Sequence, residues 1–437
     1  RAALSVQPDN TSVLYTLGAL LCATGAFAEA EARFRQALAV APGLARAVHG
    51  LGAALAGQGQ DEQAVAAYQR TVALDPDLAE SHRHLAVLLL GDGRLEAALA
   101  AAERACALEP DSAAAHGVRG AVLLGAGRLG DAAEAYGRAR ALAPGLLEVH
   151  FNCAVTAEQL GDLEAAAAGY REALTRDPRS VAALGNLAGV LGRLRRDDEA
   201  LAIYERLAAV LPDHPIAPHM IAALRGETTA AAPRAYVTDL FDGYAARFDA
   251  HLVGDLGYSG PERVLAALER AGVGRVAAAL DLGCGTGLVG VRLRPLVELL
   301  HGVDLAPKMI ERAREKDVYD ELFVGDAVEV LEGADAAPGR YDLVTAADVL
   351  CYLGDLQPLF AAVRRRLETG GLMVFSVERD GAVDVRLQPS GRYAHGRGYL
   401  ERLAAANDFD VVACEPAELR TEATGPVPGW LATLRAR

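Results

Sequence analysis

The stretch 281-DLGCGTGLVG-290 carries two overlapping glycine patterns, and the register in which they are read decides the fold of the second half of the chain. From Gly285, the residues Gly285-Thr-Gly287-Leu-Val-Gly290 spell G-x-G-x-x-G, the fingerprint of a dinucleotide-binding turn. From Asp281, the same run spells D-x-G-x-G-x-G. In a dinucleotide turn the first glycine directly follows the strand, so that the turn meets a pyrophosphate at the helix start. Here that glycine falls four residues after Asp281, and Gly290 then sits in the second turn of the following helix. Gly283, Gly285 and Gly287 instead suit a loop whose backbone must approach a ligand without phosphate. The acid before them suits a ligand ammonium.

Downstream acids support the Asp281 register. Short apolar strands are expected at 275–283, 299–305, 321–326, 341–348 and 372–378, alternating with helices at 307–316 and 355–368, a pattern that predicts a parallel sheet. A helix at 399–407 and two further strands near 409–420 and 429–436 predict a terminal antiparallel hairpin. Asp304 closes the second strand, where a carboxylate suits two ribose hydroxyls, and this alone also fits NAD. Asp326 closes the third strand, where an acid suits an adenine amine; a dinucleotide fold has no matching requirement there. Each acid taken singly reads equally well as a helix N-cap.

The first half obeys a ruler. Pro8, Pro42, Pro76, Pro110, Pro144, Pro178 and Pro212 are each 34 residues apart. Small residues recur at Gly18, Gly52, Ala86, Gly120, Ala154 and Ala188, and again at Ala30, Ala64, Ala98, Ala132, Ala166 and Ala200. Phe34, Tyr68, Tyr136, Tyr170 and Tyr204 share one register, with Ala102 at the remaining copy. Two antiparallel helices approach through the small positions, the aromatic fills the gap to the next copy, and proline ends the second helix. Gly25, Gly59, Gly93, Gly127 and Gly161 occupy the turn between the helices, and Arg195 stands there in the sixth copy. This resembles the tetratricopeptide (TPR) repeat over residues 11–214, six full copies, with residues 1–10 matching the end of an earlier one. Residues 215–239 are expected to form a capping helix and a linker rich in Thr and Ala.

In such repeats the first helices line a groove, which here presents Tyr15, His49, Arg83, His84, Phe151, Asn152 and Asn186. Arg46, Arg83 and two asparagines are too few for a clamp on an acidic peptide terminus. His49 and His84 read as groove histidines rather than metal ligands, and no metal site is expected. A formal charge of −15 argues against binding nucleic acid or an anionic membrane through the general surface. The six cysteines form no C-x-x-C pair, and neither a signal peptide nor a membrane span is evident, which together predict a cytoplasmic protein. The start, RAALSVQPDN, lacks Met, an expectation that natural residues precede it.

Residues 240–437 resemble the class I methyltransferases dependent on S-adenosyl-L-methionine (SAM), and the whole chain is similar to bacterial methyltransferases carrying N-terminal TPR repeats. The resemblance rests on the glycine loop, the three acids and 241-FDGYAARFDAHLVGDLGYSGPE-262. It implies an all-α solenoid followed by an α/β Rossmann-like domain, with a seven-stranded sheet ending in the hairpin. It further implies cofactor contacts from Asp281, Gly283, Cys284, Gly285 and Gly287 in the loop, from Asp304, Leu305 and Met309 near the adenosine, and from Asp326 and Ala327 at the adenine. Tyr244 and Phe248 lie on an amphipathic helix that either closes over SAM or packs into the core.

Methyl transfer from a sulfonium is an in-line displacement and imposes no fixed catalytic set. Asp348 and Tyr352, in 345-TAADVLCYLGDL-356, face the expected acceptor side and are candidates for positioning. His395 and His251 are candidate bases, with a surface histidine the alternative for each. Cys284 and Cys351 have no base paired with them and read as packing residues. The product would be S-adenosyl-L-homocysteine (SAH). Three functions compete: a methyltransferase for an O or N acceptor on a peptide or protein recruited by the array; one for a small metabolite, with the array as scaffold or homodimer surface; and a binding module whose SAM domain is idle. The intact glycine and aspartate set argues against the last.

Overall fold

The protein, seen in a computed structural model, is described at residues 10–245, 248, 249, 252, 254, 257–333, 340–381, 384–422 and 425–437. It divides into two compact units, Arg1–Leu194 and Arg195–Arg437.

The first unit is a run of helix hairpins. Its helices are α1 (Thr11–Ala23), α2 (Phe27–Val40), α3 (Ala45–Ala56), α4 (Asp61–Leu74), α5 (Ala79–Gly91), α6 (Leu95–Leu108), α7 (Ala113–Gly125), α8 (Leu129–Leu142), α9 (Leu147–Gln159), α10 (Leu163–Arg176) and α11 (Val181–Arg193). Of the stretch read as an earlier repeat, residues 1–9 lie outside the described residues; Asn10 caps α1, accepting from the Val13 amide at 3.1 Å. The turn glycines have left-handed backbones, with φ between 71° and 83° from Gly25 to Gly161. Arg195 takes the same conformation at φ 60° without glycine's freedom.

Close helix approach explains the small positions. Phe34 is 1% exposed. A Cβ on Gly50 of the next hairpin would stand 2.4 Å from its ring. Gly50→Ala is therefore expected to destabilise the first unit by a net of about 1–2 kcal/mol, because overpacking outweighs the gain in helix propensity. Gly117 on α7 has open space at the same test, so Gly117→Ala is expected to stabilise. Denaturant melts of the two variants check the pair.

The second unit opens with α12 (Asp197–Val210) and α13 (Ala217–Arg225), followed by α14 (Arg234–Tyr244) and α15 (Gly260–Arg270). A single sheet then forms from β1 (Val276–Leu282), β2 (Val297–Asp304), β3 (Glu321–Val324), β4 (Tyr341–Ala346), β5 (Leu367–Glu378), β6 (Val385–Leu387), β7 (Tyr393–His395), β8 (Phe409–Glu422) and β9 (Gly425–Ala436). Helices α16 (Leu288–Leu293), α17 (Pro307–Glu315), α18 (Ala327–Glu332), α19 (Gln357–Arg366) and α20 (Arg397–Ala406) fall between the strands.

The sheet has nine strands, not the seven expected. Seven follow the order β3-β2-β1-β4-β5-β9-β8, with the first five parallel and β9 antiparallel to both neighbours. The extra pair arises because β5 outruns β4: Ala346 pairs with Phe375, which leaves an open edge at Glu378. There β7 pairs with β5 through Ala394, and β6 pairs with β7. Alternation along the strands builds a core on each face. Leu280, Leu282, Met373 and Phe375 pack with Phe360 and Leu400 on one side, and Ala279, Leu343, Leu372 and Val374 pack with Val264 and Leu268 on the other.

The segment 226–233 is bonded to the loop that follows β4. The Ala232 amide donates to the Tyr352 carbonyl at 2.9 Å, and the Gly354 and Asp355 amides both donate to Ala230 at 2.8 Å. Ahead of it, His219 Nε2 on α13 meets the Gly391 carbonyl at 2.9 Å.

Candidate functional site

The carboxyl ends of the parallel strands are where an α/β sheet opens a crevice, and the glycine loop sits there. Gly283, Gly285 and Gly287 adopt φ of 63°, 54° and 89°, conformations that side-chain-bearing residues rarely hold. A Cβ on Gly283 would also stand 2.3 Å from Val349. At Gly285 the nearest such neighbour is Phe248, at 3.9 Å, so the loop leaves space open above its middle.

Asp304, at the end of β2, fastens this loop. Its two oxygens accept from the Gly285 amide at 2.9 Å and the Ala306 amide at 2.8 Å. Burial raises its carboxyl above the usual range, and those amides pull it back. A second fastening uses one of the chain's two lysines: Lys316 Nζ donates to Asp249 and to the Thr286 carbonyl, each at 2.6 Å. Thr286 Oγ1 also donates to Asp249.

The loop forms one wall of a cavity of about 590 Å³, inside the usual size range for small-molecule sites, about 300–1,000 Å³. Asp304, Leu305, Asp326 and Ala327 line one end, with Phe241, Tyr244 and Phe248 across from the loop. These three rings and Tyr352 form an edge-to-face cluster: Tyr244 to Phe248 at 5.2 Å, Phe241 to Phe248 at 6.1 Å, and Phe241 to Tyr352 at 5.5 Å. Asp348, Tyr352, Arg392 and Arg420 line the other end.

At that end a charge network holds Asp348. The residue has a left-handed backbone, φ 58°, and its amide donates to Ser376 Oγ at 2.8 Å. Arg420, only 3% exposed, donates to Asp348 at 2.7 Å, to Glu422 at 2.9 Å, and to Glu378. Arg392 bonds Glu422 and lies 3.6 Å from Glu378. Burial still raises the Asp348 carboxyl, against the pull of the two guanidinium groups.

Comparison with known proteins places this arrangement. A family model described as a methyltransferase domain matches residues 280–373. Tetratricopeptide-repeat models match residues 11–41, 54–93, 84–146 and 154–215. The chain carries a methyltransferase domain and TPR repeats.

The chain is 33% identical over 113 residues to Nodulation protein S of Rhizobium tropici, covering 24% of this chain and 45% of that protein. It is 30% identical over 126 residues to a ubiquinone biosynthesis O-methyltransferase of Xanthomonas campestris pv. campestris, covering 27% and 53%. The chain thus spans about half the length of the curated relatives it matches. Among solved structures, N-methyltransferase NodS from Bradyrhizobium japonicum WM9, in complex with SAH, is 21% identical with a TM-score of 0.37, covering 46% of this chain and 97% of that one.

Several expected residues meet in the methyltransferase domain's cavity: Tyr244, Phe248, Gly283, Cys284, Gly285, Asp304, Leu305, Asp326, Ala327, Asp348 and Tyr352. Asp326 is also an N-cap, accepting from the Val328 amide at 2.9 Å, while Arg234 lies 3.4 Å from its other oxygen. Others lie off the lining. Gly287 caps α16. Met309 is fully buried against Ala245 and Ala306. His395 is fully buried, its ring stacked on Tyr399 and its Nε2 3.3 Å from the Gly354 carbonyl; burial pushes it down to about 4. A histidine so placed is not a base for a group in the cavity. His251 lies outside the described residues.

Asp281 lies beneath the loop, 1% exposed. Its oxygens accept from Tyr319 Oη at 2.8 Å and Thr345 Oγ1 at 2.7 Å. Tyr319, Thr345, Arg392, Arg420 and Glu378 were not singled out from sequence. Arg420 had one signal, a charge at an otherwise strand-like position of 409–422.

Burial lifts the Asp281 carboxyl to about 6. The folded state therefore holds this proton more tightly than the unfolded chain, and that contribution is lost as pH rises through about 6. Asp281→Asn removes the loss, so its melting temperature relative to wild type is expected to be higher at about pH 8 than at about pH 5. Thermal melts at the two values check it; a larger deficit at the higher pH contradicts it.

Proposed function

We propose that the chain is a SAM-dependent methyltransferase acting on an oxygen or nitrogen acceptor, with the TPR array recruiting the peptide or protein that carries it. The observation that carries this reading is the loop of three left-handed glycines tied to Asp304, opening on a cavity with Asp326 at the next strand end. The space left open above Gly285 suits close approach of an amino-acid and ribose moiety. The O-methyltransferase name of a relative 30% identical over 126 residues supports the same chemistry.

SAM, when bound, supplies an electrophilic methyl on sulfur. The residues of the chain do the rest. Asp304 would offer its carboxylate to the ribose hydroxyls and Asp326 would hold the adenine amine, while the aromatic cluster around Phe241 would exclude water. At the other end, Asp348 accepts a hydrogen bond from the acceptor and takes its proton. Arg420 holds that carboxylate in place, which favours orientation over raw basicity. The wall formed by Phe241, Val349, Tyr352 and Leu353 favours an apolar or aromatic group beside the reacting atom.

That apolar wall also supports a second reading, a small metabolite acceptor with the array as scaffold or homodimer surface. Transfer of labelled methyl groups into a size-fractionated lysate separates the two. Label in protein or peptide supports recruitment by the array; label only in small molecules supports the second reading; no transfer into any fraction contradicts both.

A further inference from the structure

The first unit contains a cluster that methyl transfer does not use. His49 on α3 and Glu80 and His84 on α5 come from the first helices of two successive hairpins. Glu80 and His84 are four apart, so they share one helix face. His49 Nε2 lies 3.7 Å from one oxygen of Glu80, and His84 Nε2 lies 3.7 Å from the other. All three ligating atoms fall within 4.8 Å of one another. We propose that His49, Glu80 and His84 form a binding site for a divalent transition-metal ion of the zinc class.

Three features support this assignment. The separations are too long for hydrogen bonds and slightly wider than the span of about 3.3 Å between two ligands of a tetrahedral ion with bonds near 2.0–2.1 Å. Rotation of the exposed Glu80 side chain can shorten both carboxylate–imidazole separations. The rings are also oriented in advance. The Tyr68 ring stacks on His84 at 5.5 Å with an interplanar angle of 10°, and meets His49 edge-on at 5.4 Å. His49 Nδ1 is bonded to the buried Ser81 Oγ at 2.7 Å, an outer partner of the kind that fixes a metal-binding imidazole and leaves Nε2 for the ion.

Two neutral imidazoles and one carboxylate suit zinc, nickel or copper better than magnesium or calcium. Arg83, 3.9 Å from Glu80, is the counter-ion the metal displaces. Three protein ligands leave a fourth position open.

The test uses the full chain stripped with chelator and titrated calorimetrically with Zn²⁺, with Co²⁺ spectra to separate histidine and carboxylate ligation from thiolate. One ion per chain is expected, lost in both His84→Gln and Glu80→Gln, with Ser81→Ala weakened about ten-fold or more. His116→Ala, near Cys106 and away from the cluster, retains full binding. Melting temperatures of the variants without metal, unchanged from wild type, assign the loss to ligation. No binding by the wild type, equal binding by His84→Gln, or a thiolate-type Co²⁺ spectrum overturns the proposal.

Discussion

Asp304→Ala is expected to weaken SAH binding by about 100-fold, the largest loss of any single substitution in the cavity wall. The carboxylate has two tasks. It bonds the Gly285 and Ala306 amides, which sets the loop, and it lines the cavity where ribose hydroxyls would lie. Two charge-assisted hydrogen bonds at about 1.5 kcal/mol each account for that factor. Asp304→Asn keeps one acceptor oxygen for the Gly285 amide but loses the charge, so its affinity should fall between the two. Calorimetric titration of the three proteins checks the order. Equal loss in both variants would assign the effect to charge alone.

Arg420→Met is expected to cost the second unit about 3–5 kcal/mol, a fall in melting temperature on the order of 10 °C. The guanidinium is 3% exposed and bonded to Asp348, Glu378 and Glu422. Its removal leaves Arg392 facing Glu378 and Glu422, with no cation bonded to Asp348. The pH dependence separates this from simple loss of packing. Without Arg420 the Asp348 carboxyl, which burial already raises, titrates higher still, so the folded state binds its proton more tightly, and stability falls as pH rises through its range. The deficit relative to wild type should be greatest at about pH 8 and shrink toward about pH 5. A deficit independent of pH contradicts the charge account.

The repeats were legible because their signal is positional. Gly18 marks the space Phe34 needs and Gly52 the space Tyr68 needs, and the turn glycines stand where the backbone is left-handed. The glycine loop was legible for the same reason, since backbone geometry restricts which residues fit. The β6–β7 pair was not, because three-residue strands carry too little alternation to register. Nor was the network around Arg420, whose members Asp348, Glu378 and Arg392 lie far from it in sequence and meet it only once β5, β7 and β8 are gathered into one sheet. Long-range charge pairing leaves no local pattern. His395 misled because a histidine beside a tyrosine reads the same in sequence whether it faces a cavity or the core, and β7 turns it inward.

The central claim is that the loop beginning at Asp281 holds SAM rather than a dinucleotide. Calorimetric titration of the purified chain with SAH, and separately with NADH, tests it most directly. The account predicts saturable binding of one SAH per chain, weakened by about 100-fold in Asp304→Ala, and no heat from NADH. Binding of NADH with none of SAH would contradict it.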